Sequence, residues 1–263
     1  MPFEDILYDV SESVATIKIN RPKVHNAFTA QTVDEMVQAF MQAWSDRSVR
    51  AVILTGAGDK AFCSGGDLST RAVGGYQNKT RSDLGIDIEA LHSAIRDIPK
   101  PVIAAVNGYA VGGGHVLHVL CDMTIASDKA KFGQVGPRVG SVDAGFGTGY
   151  LAAVVGEKKA REIWFLCRQY TAEQALAMGL VNAVVPHDRL MEEARSWASE
   201  VVQLSPTAIK LAKQSFNAAS EKFRAMEAFA STALSLYYGT GEAMEGRNAF
   251  MEKRKPDFSK FTK

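Results

Sequence analysis

The chain has 263 residues, 46% of them hydrophobic, and its 30 Lys and Arg against 29 Asp and Glu give a formal net charge of +1. That length suits one large α/β domain or a domain with an appendage, and the balanced charge offers no electrostatic case for nucleic acid or an anionic membrane. Cys63, Cys121 and Cys167 lack CxxC spacing and even pairing, residues 1–5 lack a charged-then-apolar leader, and no apolar run approaches a membrane span of ~20 residues, so reduced thiols and a cytoplasmic location are expected.

Ala15, Ile17 and Ile19 alternate with Thr16, Lys18 and Asn20, a period-2 strand that Arg21-Pro22 stops. Thr29 caps a helix whose apolar stripe is Val33, Met36, Val37, Phe40 and Trp44. A strand follows at 51–54. The polar stretch 69–83, with Gly74, Gly75, Asn78, Lys79 and Arg81, reads as a mobile loop or lid. A helix is expected near 83–97, strands at 102–106 and Met123–Ala126, and a helix between them over Val116–Leu120. Beyond about residue 157 the pattern is helical: Lys158–Cys167, Thr171–Met178, Leu190–Gln203, a helix opened by Ser205-Pro206, and roughly Lys222–Tyr238. This alternation predicts an α/β fold with a mostly parallel sheet. No sequence repeat or low-complexity linker is visible. The expected division is a core over 1–200 and a C-terminal helical region over 201–263 that holds oligomer contacts.

Two glycine-rich turns carry most of the chemical information. The first is Gly58–Leu68, with Ser64-Gly65-Gly66-Asp67 at its end; the second is Asn107–His115, with Gly112-Gly113-Gly114. Each follows an apolar strand. Glycine lets a backbone N–H approach a ligand unobstructed, so two such turns can aim two donors at one oxygen. If the second turn opens a helix, the partly positive helix end faces the same oxygen. A dinucleotide site is not supported, because no G-x-G-x-x-G opens a first βαβ unit.

These turns resemble those of the crotonase (enoyl-CoA hydratase/isomerase) superfamily, and the resemblance covers nearly the whole chain. It implies a spiral of ββα turns with a C-terminal helical layer. It implies a CoA thioester as substrate, no permanently bound cofactor, no metal, no nucleic-acid or membrane partner, and a homotrimer or dimer of trimers. Carried over residue by residue, the Gly66 and Gly113 amides hold the thioester oxygen. Arg21-Pro22-Lys23-Val24-His25-Asn26-Ala27-Phe28 resembles the early CoA-binding segment, which assigns Lys23, Val24 and Ala27 to the substrate. Ser64, Asp67, Leu68, Arg71, Tyr109, Gly112, Gly136, Val139 and Lys253 are the further expected CoA and substrate contacts.

Hydratases of this superfamily use two glutamates, and the matching positions here are Val116 and Gly136. Adding water across a double bond needs a positioned acid and base, which valine and glycine do not supply. In their place stands Gly136-Pro137-Arg138-Val139-Gly140-Ser141-Val142-Asp143. A Ser-x-Asp pair is by itself more often a turn than a catalytic set. With Gly114–Asp122, Val155–Trp164 and the tail Leu236-Tyr237-Tyr238 through Phe258, it is similar to one clade: 2-ketocyclohexanecarboxyl-CoA hydrolase and 1,4-dihydroxy-2-naphthoyl-CoA synthase. Both work through a thioester enolate, one opening a ring with water and the other closing one. The start at Phe3-Glu4-Asp5, Leu68–Ala72, Leu91–Pro99, Gly140–Asp143 and Pro186-His187-Asp188 look more like the hydrolase. Gly114–His118, Leu166–Tyr170 and Glu245–Phe250 look more like the synthase. The balance favours the hydrolase.

The resemblance gives Tyr238, in its own or a neighbouring subunit, the ketone oxygen or a carbon proton; it gives Asp143 the water, with Ser141 as hydrogen-bonding partner. In the synthase alternative, Gly136 leaves room for bicarbonate as the base. His115 and His118 are one helical turn apart, but no third metal ligand is evident. Lys253-Arg254-Lys255 is either a solvated helix end or a contact to CoA phosphates. No G-x-S-x-G elbow supports an esterase. A non-catalytic RNA-binding relative would show a basic face with interleaved aromatics.

Overall fold

The computed structural model describes residues 3–78 and 80–262. Residues 1, 2, 79 and 263 lie outside the described residues, Lys79 of the expected loop among them. In chain order the strands and helices are β1 (Ile6–Ser11), β2 (Val14–Ile19), α1 (Ala30–Ser45), β3 (Ala51–Gly56), β4 (Ala61–Cys63), β5 (Arg71–Ala72), β6 (Gly75–Tyr76), α2 (Ile88–Asp97), β7 (Val102–Val106), β8 (Tyr109–Val111), α3 (Gly113–Leu120), β9 (Met123–Ser127) and β10 (Lys131–Gly133). There follow α4 (Leu151–Val155), α5 (Glu157–Leu166), β11 (Tyr170–Thr171), α6 (Ala172–Ala177), β12 (Ala183–Val185), α7 (Leu190–Gln203), α8 (Pro206–Ala219), α9 (Glu221–Tyr238) and α10 (Gly241–Met251).

The larger sheet runs β1-β2-β3-β7-β9-β12, and the smaller runs β11-β10-β8-β4. All pairs in the larger sheet are parallel except β1 with β2. The strand pairs β3/β4, β7/β8 and β9/β10 each place their first strand in the larger sheet and their second in the smaller. This is a spiral of repeated turns with no matching repeat in the sequence.

The central strands β3 and β7 are buried along their whole length, as a parallel sheet covered on both faces requires. Their alternate residues face two cores. Val52, Leu54, Val102, Ala104 and Val106 join Met36, Phe40 and Leu91 on one side. Ala51, Ile53, Ile103 and Ala105 meet Leu190, Ala194 and Ala198 of α7 on the other. The expected boundary after residue 200 falls inside α7.

Local chemistry explains the helix starts. Thr29 caps α1 and Thr171 caps α6, each in a reciprocal box with the residue three positions on. Ser205 caps α8 with Pro206 at its first position. The helix expected from 83 starts at Ile88, because Asp87 turns its carboxylate back to the Ser82 amide at 3.0 Å. The preceding Leu84 and Ile86 are buried apolar residues outside the helix. The expected loop over 69–83 holds the β5–β6 hairpin. Helix α10 carries no apolar stripe, since its buried residues are Ala243, Glu245, Gly246 and Ala249.

One contact sets the position of the site. A Cβ on Gly114 would collide with the Cys63 carbonyl oxygen at the end of β4, so α3 meets β4 through bare backbone. Gly114→Ala is expected to destabilise the fold by about 1–3 kcal/mol through overpacking, read from urea unfolding. A change below about 0.5 kcal/mol would show that β4 and α3 are not held this close.

Candidate active site

Phe28 and Gly66 form an isolated parallel bridge. The Phe28 amide donates to the Gly65 carbonyl, and the Asp67 amide donates to the Phe28 carbonyl, both at 2.9 Å. Such a bridge uses the groups flanking Gly66, so the Gly66 N–H faces away from Phe28. Gly113 is the first residue of α3, where backbone amides have no partner inside the helix. Among the described residues neither amide donates a hydrogen bond to the protein.

The two turns lie against each other. Gly65 has φ +92°, and a Cβ there would stand 2.9 Å from the Gly113 nitrogen. Gly112 has φ 56° and ψ −127°, a conformation that turns β8 directly into α3 and that side chains disfavour. A Cβ on Gly66 would stand 3.4 Å from the Phe28 ring, and one on Gly113 2.7 Å from it. One aromatic ring therefore touches both positions. A Cβ on Gly66 would also collide with the Tyr76 hydroxyl.

Both turns open onto a cavity of about 620 Å³. Its wall includes Leu84, Ile86, Ile88, Val142, Trp164 and Leu234, which make it mainly apolar. Ser141 and Tyr238 share a hydrogen bond of 2.7 Å between their hydroxyls in this cavity. The Arg71 guanidinium stacks over the Tyr238 ring, 4.6 Å from its centre. The Gly74 amide donates to the Tyr238 carbonyl at 3.0 Å, which ties the β5–β6 hairpin to the end of α9.

A cluster of titratable groups lies in the same cavity. Nδ1 of His92 on α2 is 2.6 Å from Oε1 of Glu227 on α9. The other Glu227 oxygen accepts the Phe146 amide at 3.1 Å. Oδ1 of Asp143 accepts the Gly145 and Gly147 amides at 3.0 and 2.9 Å. Burial works to lower the His92 pKa, but the Glu227 contact outweighs it and the net shift is upward. Burial works to raise the Glu227 pKa, and His92 reverses that. Burial raises the Asp143 pKa against the pull of His92, and the nearby Glu227 charge adds to the rise. Burial also raises the Tyr76 pKa, so its phenol is a neutral hydrogen-bond donor.

The enoyl-CoA hydratase/isomerase family profile matches residues 9–261. The chain belongs to this family. It is similar to an enoyl-CoA hydratase/isomerase from Pseudoalteromonas atlantica, at 28% identity over 97% of this chain and 100% of that one, with a TM-score of 0.89. An enoyl-CoA hydratase from Mycobacterium avium subsp. paratuberculosis is 28% identical over 98% of this chain and 99% of that one, with a TM-score of 0.85. An enoyl-CoA hydratase from Bacillus anthracis is 32% identical over 97% and 98%, with a TM-score of 0.77. As a crotonase-family enzyme the chain processes acyl-CoA thioesters.

Against that family pattern, Val24, Ala27, Ser64, Gly66, Asp67, Leu68, Gly112, Gly113, Gly136, Val139, Ser141, Asp143 and Tyr238 all line the cavity. Tyr238 does so from its own chain. Asp67 is largely committed to the fold, because its carboxylate meets Arg21 at 3.2 Å and accepts the Ser69 hydroxyl at 2.6 Å. Arg71 corrects an expectation: it is 1% exposed, lies outside the cavity lining and donates to the Val139, Gly140 and Ala243 carbonyls, so it braces the fold instead of meeting a CoA phosphate. Tyr109 stands exposed at the start of β8, outside the lining. Lys23 and Lys253 are also exposed and outside the lining. The Asn26 amide bonds the Ala57 and Ala61 carbonyls and pins the Arg21–Phe28 segment. His115 and His118 pack ring to ring at 4.8 Å, and burial pushes His115 down to about 3, so they are neutral core residues.

Tyr76, His92 and Glu227 are buried titratable residues of the cavity that the sequence reading missed. His92 sits among the apolar core positions of α2, and Glu227 is one acid among several on α9, so neither spacing nor motif marks them.

The pair also sets a pH dependence. His92 has a raised folded pKa, so its contribution is complete below its ordinary 6.5 and lost as pH rises through the raised value. Glu227 has a depressed folded pKa, so its contribution is present above its ordinary 4.5 and lost as pH falls through the depressed value. The pair therefore stabilises most between about pH 4.5 and 6.5. Glu227→Gln is expected to lower the melting temperature more at about pH 6 than at about pH 9. Equal losses at both would contradict a charged pair.

Proposed function

We propose that the chain is a ring-opening hydrolase of a cyclic β-keto acyl-CoA, of the kind represented by 2-ketocyclohexanecarboxyl-CoA. The carrying observation is the bonded Ser141–Tyr238 pair and the Asp143 carboxylate in one cavity with the two glycine turns. Glutamates that would add water to a double bond are replaced by Val116 and Gly136. Gly136 has no room for an acid, since a Cβ there would stand 2.5 Å from the Ser141 carbonyl oxygen.

The thioester oxygen binds the Gly66 and Gly113 amides. The Tyr238 hydroxyl, supported by Ser141, donates to the ring ketone oxygen. Asp143 takes a proton from water as the water oxygen bonds to the ketone carbon. A buried carboxyl with a raised pKa is a stronger base than an exposed one. The bond from that carbon to the α carbon then breaks. Its electron pair passes into the thioester, and the negative charge rests on the oxygen between the two amides. The α carbon takes up a proton, so one water is consumed and an open-chain acyl-CoA carboxylate leaves.

Ring closure by a 1,4-dihydroxy-2-naphthoyl-CoA synthase would use the same enolate with bicarbonate beside Gly136. The Asp143 carboxylate in the same cavity supplies a base within the chain, which favours ring opening. The proposal extends to a homotrimer or dimer of trimers assembled through the C-terminal helices. Exposed Leu211, Phe216, Phe229, Leu236 and Phe250 there support it.

Mass analysis with 2-ketocyclohexanecarboxyl-CoA is expected to show gain of one water. No reaction there, with loss of one water from o-succinylbenzoyl-CoA, would reverse the assignment. Tyr238→Phe and Asp143→Asn are each expected to cut kcat by ~10²-fold or more, with the fold retained. Wild-type turnover by both would remove their roles.

A further inference from the structure

Ring opening leaves a proton on Asp143 that must reach carbon before the next cycle. Asp143 is held in place for the first step, because its Oδ1 is fixed by the Gly145 and Gly147 amides. The neighbouring acid is Glu227, which crowds the same loop: a Cβ on Gly145 would collide with a Glu227 oxygen. Glu227 in turn holds the His92 imidazole by Nδ1 at 2.6 Å, and is itself fixed by the Phe146 amide at 3.1 Å. The His92 ring is 2% exposed, and its Nε2 has no hydrogen-bond partner among the described residues.

An unpartnered nitrogen on a buried, oriented ring is costly unless it has a task. Fixing one imidazole nitrogen on a carboxylate orients the ring and frees the other nitrogen for proton exchange. His92, Glu227 and Asp143 all line the cavity in which the proposed reaction occurs.

We propose that His92 and Glu227 form a proton-relay pair that serves Asp143, with Glu227 orienting the ring and His92 Nε2 exchanging the proton that Asp143 takes from water. The inference rests on the ring-opening reading. The imidazolium gives its Nε2 proton to the α carbon of the enolate and is then restored by the proton that Asp143 took from water; no other reactant is required. Glu227 is a positioning residue, since it acts through the ring that it holds by Nδ1. The charges that face the ring are Glu89 on its own helix, Asp143 and Glu227. The Arg96 guanidinium lies over the ring of Phe146, 4.9 Å from its centre, and Phe146 packs edge-on to His92.

Three measurements on the full-length protein test this. In the wild type, nitrogen NMR is expected to find His92 titrating above its ordinary 6.5. A ring already neutral there overturns the proposal whatever the activity. Glu227→Gln keeps the shape but removes the charge, and should move the alkaline limb of the kcat/KM profile to lower pH by about one unit or more. His92→Asn should lose that limb, cut kcat by roughly 10²-fold and leave KM nearly unchanged. Unaltered pH profiles in both variants overturn the relay. Wild-type protein that adds no water to the cyclic substrate sinks the parent reading instead, and the NMR titration still judges the pair.

Discussion

The approach of two backbone segments with no side chain between them underlies the rest of the structure. The exit of β4 and the start of α3 meet at Gly65, Gly113 and Gly114, where a Cβ on Gly65 or Gly114 would strike the opposite backbone and one on Gly113 the Phe28 ring. The parallel bridge to Phe28 turns one amide outward, and the start of a helix leaves the other unpaired. Strands β4 and β8 are neighbours in the smaller sheet, so adjacent turns of the spiral deliver the two amides to one place. The geometry is a property of the fold, and in the proposed reaction it suits charge that develops on one oxygen.

The rest of the cavity wall adds polar groups to this backbone frame. Here a tyrosine–serine hydroxyl pair and a carboxylate–imidazole–carboxylate cluster stand in a mainly apolar pocket. Apolar surroundings raise the cost of unpaired charge and so enlarge the pKa shifts within the cluster. The C-terminal helices are part of this wall, since Glu227, Ala230, Leu234 and Tyr238 of α9 face the cavity. Arg71 locks the hairpin, the 136–145 segment and α10 together through three carbonyls, which keeps Tyr238 at its place beside Ser141.

Long periodic segments were legible in the sequence: α7 runs over the expected Leu190–Gln203, and α1 and α6 begin at their expected threonine caps. The three-residue strands β4, β8 and β10 were not read as strands because so few residues establish no period, and β1 escaped because Ile6 alone of its six residues is buried, so its sequence ILYDVS shows no alternation. Helix α10 escaped because glycine, alanine and glutamate fill its buried face. At the site, glycines announce themselves by type, whereas His92 and Glu227 come together from helices 135 residues apart in the chain. Arg71 was misassigned because a basic residue near a phosphate-type turn and one that braces carbonyls look alike until its partners are seen.

A structure of the protein bound to an unreactive cyclic β-keto acyl-CoA analogue tests the central claim most directly. The account predicts the thioester oxygen at about 2.7–3.1 Å from both the Gly66 and Gly113 nitrogens. A thioester oxygen bonded elsewhere, or either amide pointing away from the bound ligand, would contradict it.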